Sequence, residues 1–83
     1  MKTTILGLKL ENRTEVATSL QDILTKYGCS IRSRIGLHDN EEQQDDDHGI
    51  ILLELTGDPK EQKNLEEALT KLEKVQVQRM AFE

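Results

Sequence analysis

The chain has 83 residues, of which 35% are hydrophobic and 33% are charged, with one cysteine, no tryptophan and a net charge of -5. This length predicts a single domain over residues 1–83 with one small core, and a lone cysteine excludes an internal disulfide. The negative charge disfavours a nucleic-acid surface. No basic and apolar signal opens the sequence, so we expect a cytoplasmic protein that does not bind membranes.

The first third of the chain predicts a strand followed by a helix. Residues 3–10 alternate in the manner of a half-buried strand, with Leu6, Leu8 and Leu10 on one face. Asn12 is a favourable N-cap for a helix whose apolar residues repeat at helical spacing. Gly28 is expected to end that helix in the left-handed conformation.

The middle of the chain predicts two strands joined by a long acidic loop. Strict alternation over residues 30–37 places the odd-numbered residues on the inner face of the second strand and the even-numbered ones on the outer face. Residues 38–48 contain no apolar side chain and predict a mobile, solvated hairpin loop. Six acids lie there, so the rest of the chain is nearly neutral. Residues 49–57 are almost continuously apolar, which favours a central strand.

The last third predicts a second helix and a fourth strand. Asp58 suits the N-cap and Pro59 the first helical position, and residues 75–82 alternate again. The order β-α-β-β-α-β is that of the ferredoxin-like arrangement. We therefore predict an α+β fold with a four-stranded antiparallel sheet, strand order 4-1-3-2, and both helices on one face.

The face of the predicted sheet without helices carries a group of apolar or small residues. They are Ile5, Gly7, Ile50, Leu52, Met80 and Phe82. Burying one large apolar side chain stabilises a protein by roughly 1.5–3 kcal/mol, and exposed patches of this kind usually mark interfaces. The sequence predicts a homo-oligomer, a dimer or tetramer, formed through this face; scattered surface hydrophobicity is the alternative.

Two groups of residues are candidates for binding an anionic effector. Asn12, Arg13 and Thr14 open the first helix, where free backbone N–H groups favour anions. Arg32 and Arg34 project from one face of the second strand and suit a carboxylate. Charged residues on an edge strand also discourage aggregation, and the two interpretations are left open.

A metal site is a weaker candidate. His38 and His48 flank the acidic loop, and imidazole with carboxylate ligands suits several divalent ions. The spacing of the acids matches no calcium loop, which favours a solvated loop instead. Cys29 is expected to be a half-buried structural residue. Because nucleophilic triads, phosphate-binding glycine loops and paired cysteine motifs are absent from the sequence, we predict neither catalysis nor a cofactor.

The strand and helix order, with residues 10–17 (LENRTEVA) at the first strand-to-helix turn, resembles ACT-type regulatory domains. Ile35 and Gly36 before the polar loop, the strand at residues 50–55 and residues 69–77 resemble the small stand-alone regulators of the iron-only hydrogenase system. Those proteins are ACT-like and related in fold to the C-terminal domain of the nickel-responsive repressor. The resemblance implies a small-molecule or amino-acid effector bound at a subunit interface near Asn12, Arg13 and Thr14.

The sequence as a whole predicts a small regulatory, effector-binding module that acts as a homo-oligomer. The resemblance links it to iron-only hydrogenase or metal metabolism. One alternative is a metal-sensing protein that uses His38 and His48. Another is a non-catalytic interaction domain whose acidic loop binds a basic partner protein.

Overall fold

The computed structural model describes residues 2–11, 13–37 and 49–83, without the side chain of Arg13. The predicted N-cap Asn12 and the predicted loop at 38–48 lie outside these residues. The elements are β1 (Thr3–Leu10), α1 (Arg13–Lys26), a short 3-10 turn (Gly28–Ser30), β2 (Ile31–Leu37), β3 (Gly49–Leu55), α2 (Pro59–Thr70) and β4 (Val75–Phe82). Neither α1 nor α2 has the length and apolar character needed to cross a membrane.

The four strands form one antiparallel sheet in the order β2-β3-β1-β4. This order confirms the predicted ferredoxin-like α+β fold, with β1 and β3 in the centre. Leu10 at the end of β1 pairs with Gly49 of β3 and with Val75 of β4. The same end of the sheet therefore holds the start of α1, the end of β2 and the start of β4. The opposite end, which holds the 3-10 turn and the start of α2, lies near the first residues of β1.

A leucine-rich core lies between the sheet and the two helices. Its buried residues are Leu6, Leu8, Leu10, Val16, Leu20, Leu24, Leu53, Leu55, Leu65 and Leu69. The alternating leucines of the central strands meet the apolar stripes of α1 and α2, as the 2-residue and 3.6-residue periods of the sequence predict. Both helices consequently pack on one face of the sheet.

The predicted alternation of β2 is wrong beyond Ile31. Ile31 pairs with Leu55 of β3, but Ser33 pairs with the adjacent Glu54, so an extra residue, Arg32, is accommodated as a bulge. A bulge of this kind reverses the faces of all residues that follow it. Ile35 and Leu37 therefore lie on the face without helices. Arg34 and Gly36 lie on the helix-bearing face, opposite to the prediction.

The turn before α2 has the capping interactions that its sequence predicts. Asp58 accepts a hydrogen bond from the backbone N–H of Lys60 at 2.9 Å, and Pro59 occupies the first helical position. Gly57 precedes them with φ +85°, and the side-chain amide of Gln62 donates to its carbonyl oxygen at 3.1 Å. Gly57, not Gly28, adopts the left-handed conformation, because the chain after α1 continues into a 3-10 turn.

We expect the two glycines to respond differently to alanine. Gly57→Ala should lower the free energy of unfolding by about 1 kcal/mol or more, since a side chain at positive φ is sterically strained. Gly28→Ala should be neutral or slightly stabilising, because φ is not positive there and a Cβ atom would meet no heavy atom within 4 Å. Urea denaturation of both variants measures the difference. Equal effects would contradict the assignment of the left-handed position.

Candidate functional site

The candidate site is the sheet surface that neither helix covers, called here the open face. The strand register defines three rows of side chains across it. They are Leu37–Ile50–Lys9–Gln76, Ile35–Leu52–Gly7–Gln78 and Ser33–Glu54–Ile5–Met80, with Phe82 beside Thr3 beyond the third row. The predicted set of six residues is therefore on one face, and β2 adds Ile35 and Leu37 to it.

The large apolar side chains of the open face are exposed to an unusual degree. The exposed fractions are 52% for Ile35, 48% for Leu37, 42% for Ile50, 50% for Met80 and 53% for Phe82. Ile5 and Leu52 are half-buried between them. Together these residues run diagonally from the end of β2 and the start of β3 to the start of β1 and the end of β4.

Gly7 lies in the middle row of this surface, between Leu52 and Gln78. A Cβ atom at this position would lie 3.6 Å from Cδ2 of Leu52 and 4.0 Å from the carbonyl oxygen of Gln78. Those are ordinary van der Waals distances, and φ is not positive at Gly7. The fold of the protomer therefore does not require glycine here. The absence of a side chain at Gly7 leaves a shallow depression at the centre of the open face.

Two charged residues flank the apolar diagonal on opposite sides. Lys9 pairs with Ile50 in the first row, and Glu54 pairs with Ile5 in the third. Four residues along the strands separate the two rows, a distance of about 14 Å at 3.4 Å per residue. This spacing is too long for a direct ion pair within the protomer. The open face thus carries a positive charge on one side of the apolar diagonal and a negative charge on the other.

The turn that leads into α1, the first predicted effector site, is described only in part. Asn12 and the Arg13 side chain lie outside the described residues, and Thr14 is exposed on the first turn of α1. Lys74, at φ +66°, reaches this turn: its ammonium donates to Glu15 Oε1 at 2.8 Å, and its carbonyl accepts from the N–H of Glu11 at 2.9 Å. The start of β4 is thereby tied to the start of α1.

The ion pair between Glu15 and Lys74 changes the titration of the lysine. The hydrogen bond to the Glu15 carboxylate, together with its charge, raises the pKa of the Lys74 ammonium above the ordinary lysine value. A raised pKa in the folded state means that the pair stabilises the fold fully below the ordinary lysine pKa. That contribution is lost as the pH rises through the raised pKa.

The structure does not bring Arg32 and Arg34 together as one anion site. Arg32, at the bulge, lines an open groove of about 1090 Å³ along α2 and β4, where Arg79 Nε lies 3.7 Å from Glu66 Oε2. Arg34 lies beside α1 and donates from Nη2 to Gln21 Oε1 at 3.4 Å. The two guanidinium groups therefore belong to different surfaces.

A small cavity lies where α1 meets the edge of the sheet, called here the α1–β2 cavity. Its volume is about 220 Å³. The residues that line it are Leu10, Ala17, Leu20, Gln21, Arg34, Gly36, Gly49, Ile50 and Ile51. The sequence pattern did not predict this cavity, because it gave no sign of the bulge at Arg32. That bulge turns Arg34 and Gly36 toward α1.

The predicted metal ligands His38 and His48 lie outside the described residues. Within residues 2–11, 13–37 and 49–83, no group of three or more histidine, cysteine, aspartate or glutamate side chains is placed to hold a metal ion. Cys29 is exposed, so the prediction of a half-buried cysteine is wrong. The 3-10 turn directs Ser30 into the interior, at 5% exposure, and Cys29 outward.

No model of a known protein family matches the chain, and no curated protein sequence matches it. Among solved structures, an uncharacterized protein (TM1266) from Thermotoga maritima is similar over 100% of both chains, with a TM-score of 0.82 and 21% identity. A formyltetrahydrofolate deformylase from Pseudomonas putida KT2440 is similar over 94% of this chain and 28% of the deformylase chain, with a TM-score of 0.57 and 12% identity. CPII from Thiomonas intermedia K12, solved with ADP, AMP and acetate, is similar over 99% of this chain and 89% of the CPII chain, with a TM-score of 0.51 and 14% identity. At these identities the likeness is one of fold.

Proposed function

We propose that this protein is a small, non-catalytic regulatory module that forms a homo-oligomer through the open face and responds to a small effector. The observation that carries the proposal is the contiguous apolar diagonal of the open face, in which five large side chains are 42–53% exposed. Exposed apolar surface of this extent usually belongs to an interface. The effector-binding role is the one that the resemblance to ACT-type domains implies.

Association would bury the exposed apolar side chains of the open face. Full burial of a large apolar side chain is worth roughly 1.5–3 kcal/mol, so a half-exposed one retains about half of that to be gained. Ile35, Leu37, Ile50, Met80 and Phe82 each offer such a gain, and a two-fold interface counts each residue twice. Association must still overcome the loss of translational and rotational freedom. The free energy gained by burying ten half-exposed side chains is comparable with that loss.

A second copy of the chain fits this surface because its charges are self-complementary. A two-fold axis across the strands near Gly7 and Leu52 would exchange the first and third rows of the open face. Lys9 would then lie within one strand of the partner's Glu54, and the reverse pair would form by symmetry. Face-to-face sheets lie about 10 Å apart, within reach of a lysine and a glutamate that extend toward each other. Gly7, near the axis, allows the sheets to approach closely.

Two further considerations support a regulatory role with a small ligand. The solved CPII structure, which shares the fold, contains ADP, AMP and acetate, so a chain of this architecture can accommodate small anionic molecules. The sequence resemblance to regulators of the iron-only hydrogenase system supports hydrogenase or metal metabolism as the regulated process. In this proposal the effector binds to each protomer, and its binding changes the oligomeric state of the protein.

The first test places a charge in the apolar diagonal. At micromolar concentrations we expect the native chain to sediment as a dimer or larger species, and Ile35→Glu to sediment as a single protomer of 9.5 kDa, since the glutamate would have to be desolvated at the interface. Thr18→Glu, which adds the same charge on an exposed position of α1, should leave the oligomer intact. A native chain that sediments as a clean monomer would refute the proposal.

The second test exchanges the charges of Lys9 and Glu54. Lys9→Glu and Glu54→Lys should each weaken association, because each creates like charges across the two-fold axis. The double variant restores opposite charges, and we expect it to associate about fivefold or more tightly than the sum of the single effects predicts. Sedimentation equilibrium of the four proteins gives the required constants. Strictly additive effects would show that Lys9 and Glu54 do not face each other.

A further inference from the structure

We infer that the α1–β2 cavity binds a small monocarboxylic acid with a short apolar chain, an inference that rests on the effector-binding role proposed above. The cavity combines an apolar floor with one cationic side chain at its edge. The effector would thus be a carboxylic acid held by Arg34 and Gln21, residues outside the 12–14 turn that the sequence resemblance favours.

The floor of the cavity is apolar and largely buried. Leu10 and Leu20 belong to the buried core, with exposures of 1% and 4%, and Ile51 packs against that core. Gly36 and Gly49 contribute no side chain to the walls, which leaves the space between α1 and the sheet edge open. A ligand chain placed here would cover mainly the exposed apolar surface of Ala17 and Ile50 at the cavity walls.

The polar end of the cavity is suited to a carboxylate. The guanidinium of Arg34 has five N–H donors, and its described side-chain hydrogen bond, to Gln21 Oε1, is long at 3.4 Å. A carboxylate could accept two parallel hydrogen bonds from the guanidinium, a stronger arrangement than the neutral amide offers. The Gln21 amide could then turn its N–H groups toward the same ligand. Arg34 and Gln21 thus form a pair of donors beside an apolar floor.

The same lining residues argue against other ligand classes. None of the described residues that line the cavity carries a carboxylate, so those residues offer no counter-charge to an ammonium group or a metal cation. This favours a simple carboxylic acid over an amino acid. The volume of about 220 Å³ is below the roughly 300–1,000 Å³ of pockets that hold drug-sized molecules, which favours a ligand smaller than a nucleotide.

Arg32 provides the internal comparison. It is also exposed on β2, but the groove it lines contains the carboxylates of Glu54, Glu66 and Glu67. An anion in that groove would meet negative charge as well as positive. The Arg34 site lacks such competition among its described lining residues, so the two arginines should differ in a binding assay.

The test uses 3-methylbutanoate as the probe and its uncharged amide, 3-methylbutanamide, as the control ligand. Titration into the ¹⁵N-labelled protein should give saturable shifts of the amide signals of Leu20, Arg34 and Gly36. Arg34→Gln should weaken binding about tenfold or more, which is the loss expected for a charge-assisted hydrogen bond. The uncharged amide should bind the native chain no more tightly than the acid binds the Arg34→Gln variant. Arg32→Gln should retain native affinity for the acid.

A second pair of variants fills the cavity without touching Arg34. Ala17 lies on the exposed side of α1 and lines the cavity, so Ala17→Met should block the probe while keeping a good helix former in place. Thr18→Met, one position away and outside the cavity lining, should bind the probe normally. Absence of saturable shifts, equal binding of acid and amide, or equal effects of Arg32→Gln and Arg34→Gln would each overturn the inference.

Sedimentation of the same samples separates this inference from the proposal on which it rests. If the probe fails to bind while the native chain remains oligomeric, the carboxylate site is refuted and self-association stands. If the chain is monomeric but binds the probe through Arg34, the cavity assignment stands and the oligomeric mode of action is refuted.

Discussion

The structure depends on one packing constraint: two helices cover one face of a four-stranded sheet, and the chain has no third helix among its described residues to cover the other. The leucines of β1 and β3 that point inward complete the core with α1 and α2. The residues between them in sequence must then point outward, because side chains alternate along a strand. Where those residues are apolar, as at Ile50 and Leu52, the fold itself produces an exposed apolar surface. The open face is thus a consequence of a strand pattern that is hydrophobic on both sides.

This arrangement also connects the open face with the α1–β2 cavity. β2 presents Ile35 and Leu37 to the open face, and Arg34 and Gly36 to the cavity. Ile50 of β3 is part of the open face and also lines the cavity. A ligand that fixes the position of β2 against α1 would therefore act on the strand that supplies a large share of the interface. Effector binding and association would be coupled through β2, and the coupling would be reciprocal.

Most of the fold could be predicted from the sequence because its main signals are local and consistent with one another. The period-2 pattern of β1 and β4, the capping residues at Asp58 and Pro59, and the helical stripes all indicate the same topology. The errors arose where one local event changes everything after it. The bulge at Arg32 has no clear signal in a run of alternating residues, and it reverses the faces of Ile35 and Arg34. Gly28 does not adopt the left-handed conformation because the chain leaves α1 through a 3-10 turn, whereas Gly57 has a positive φ in the turn before α2.

The central claim, that a second copy covers the open face, is tested most directly by isotope-filtered nuclear Overhauser spectroscopy. One sample of the chain is labelled with ¹³C in its isoleucine and leucine methyl groups, and it is mixed with unlabelled protein and equilibrated. We expect intermolecular contacts from the methyl groups of Ile35, Ile50 and Leu52 to side chains of the unlabelled protomer, and none from Leu65 or Leu69 in the core. Intermolecular contacts confined to the helix surface, or their absence from all three open-face residues at concentrations where the oligomer forms, would contradict it.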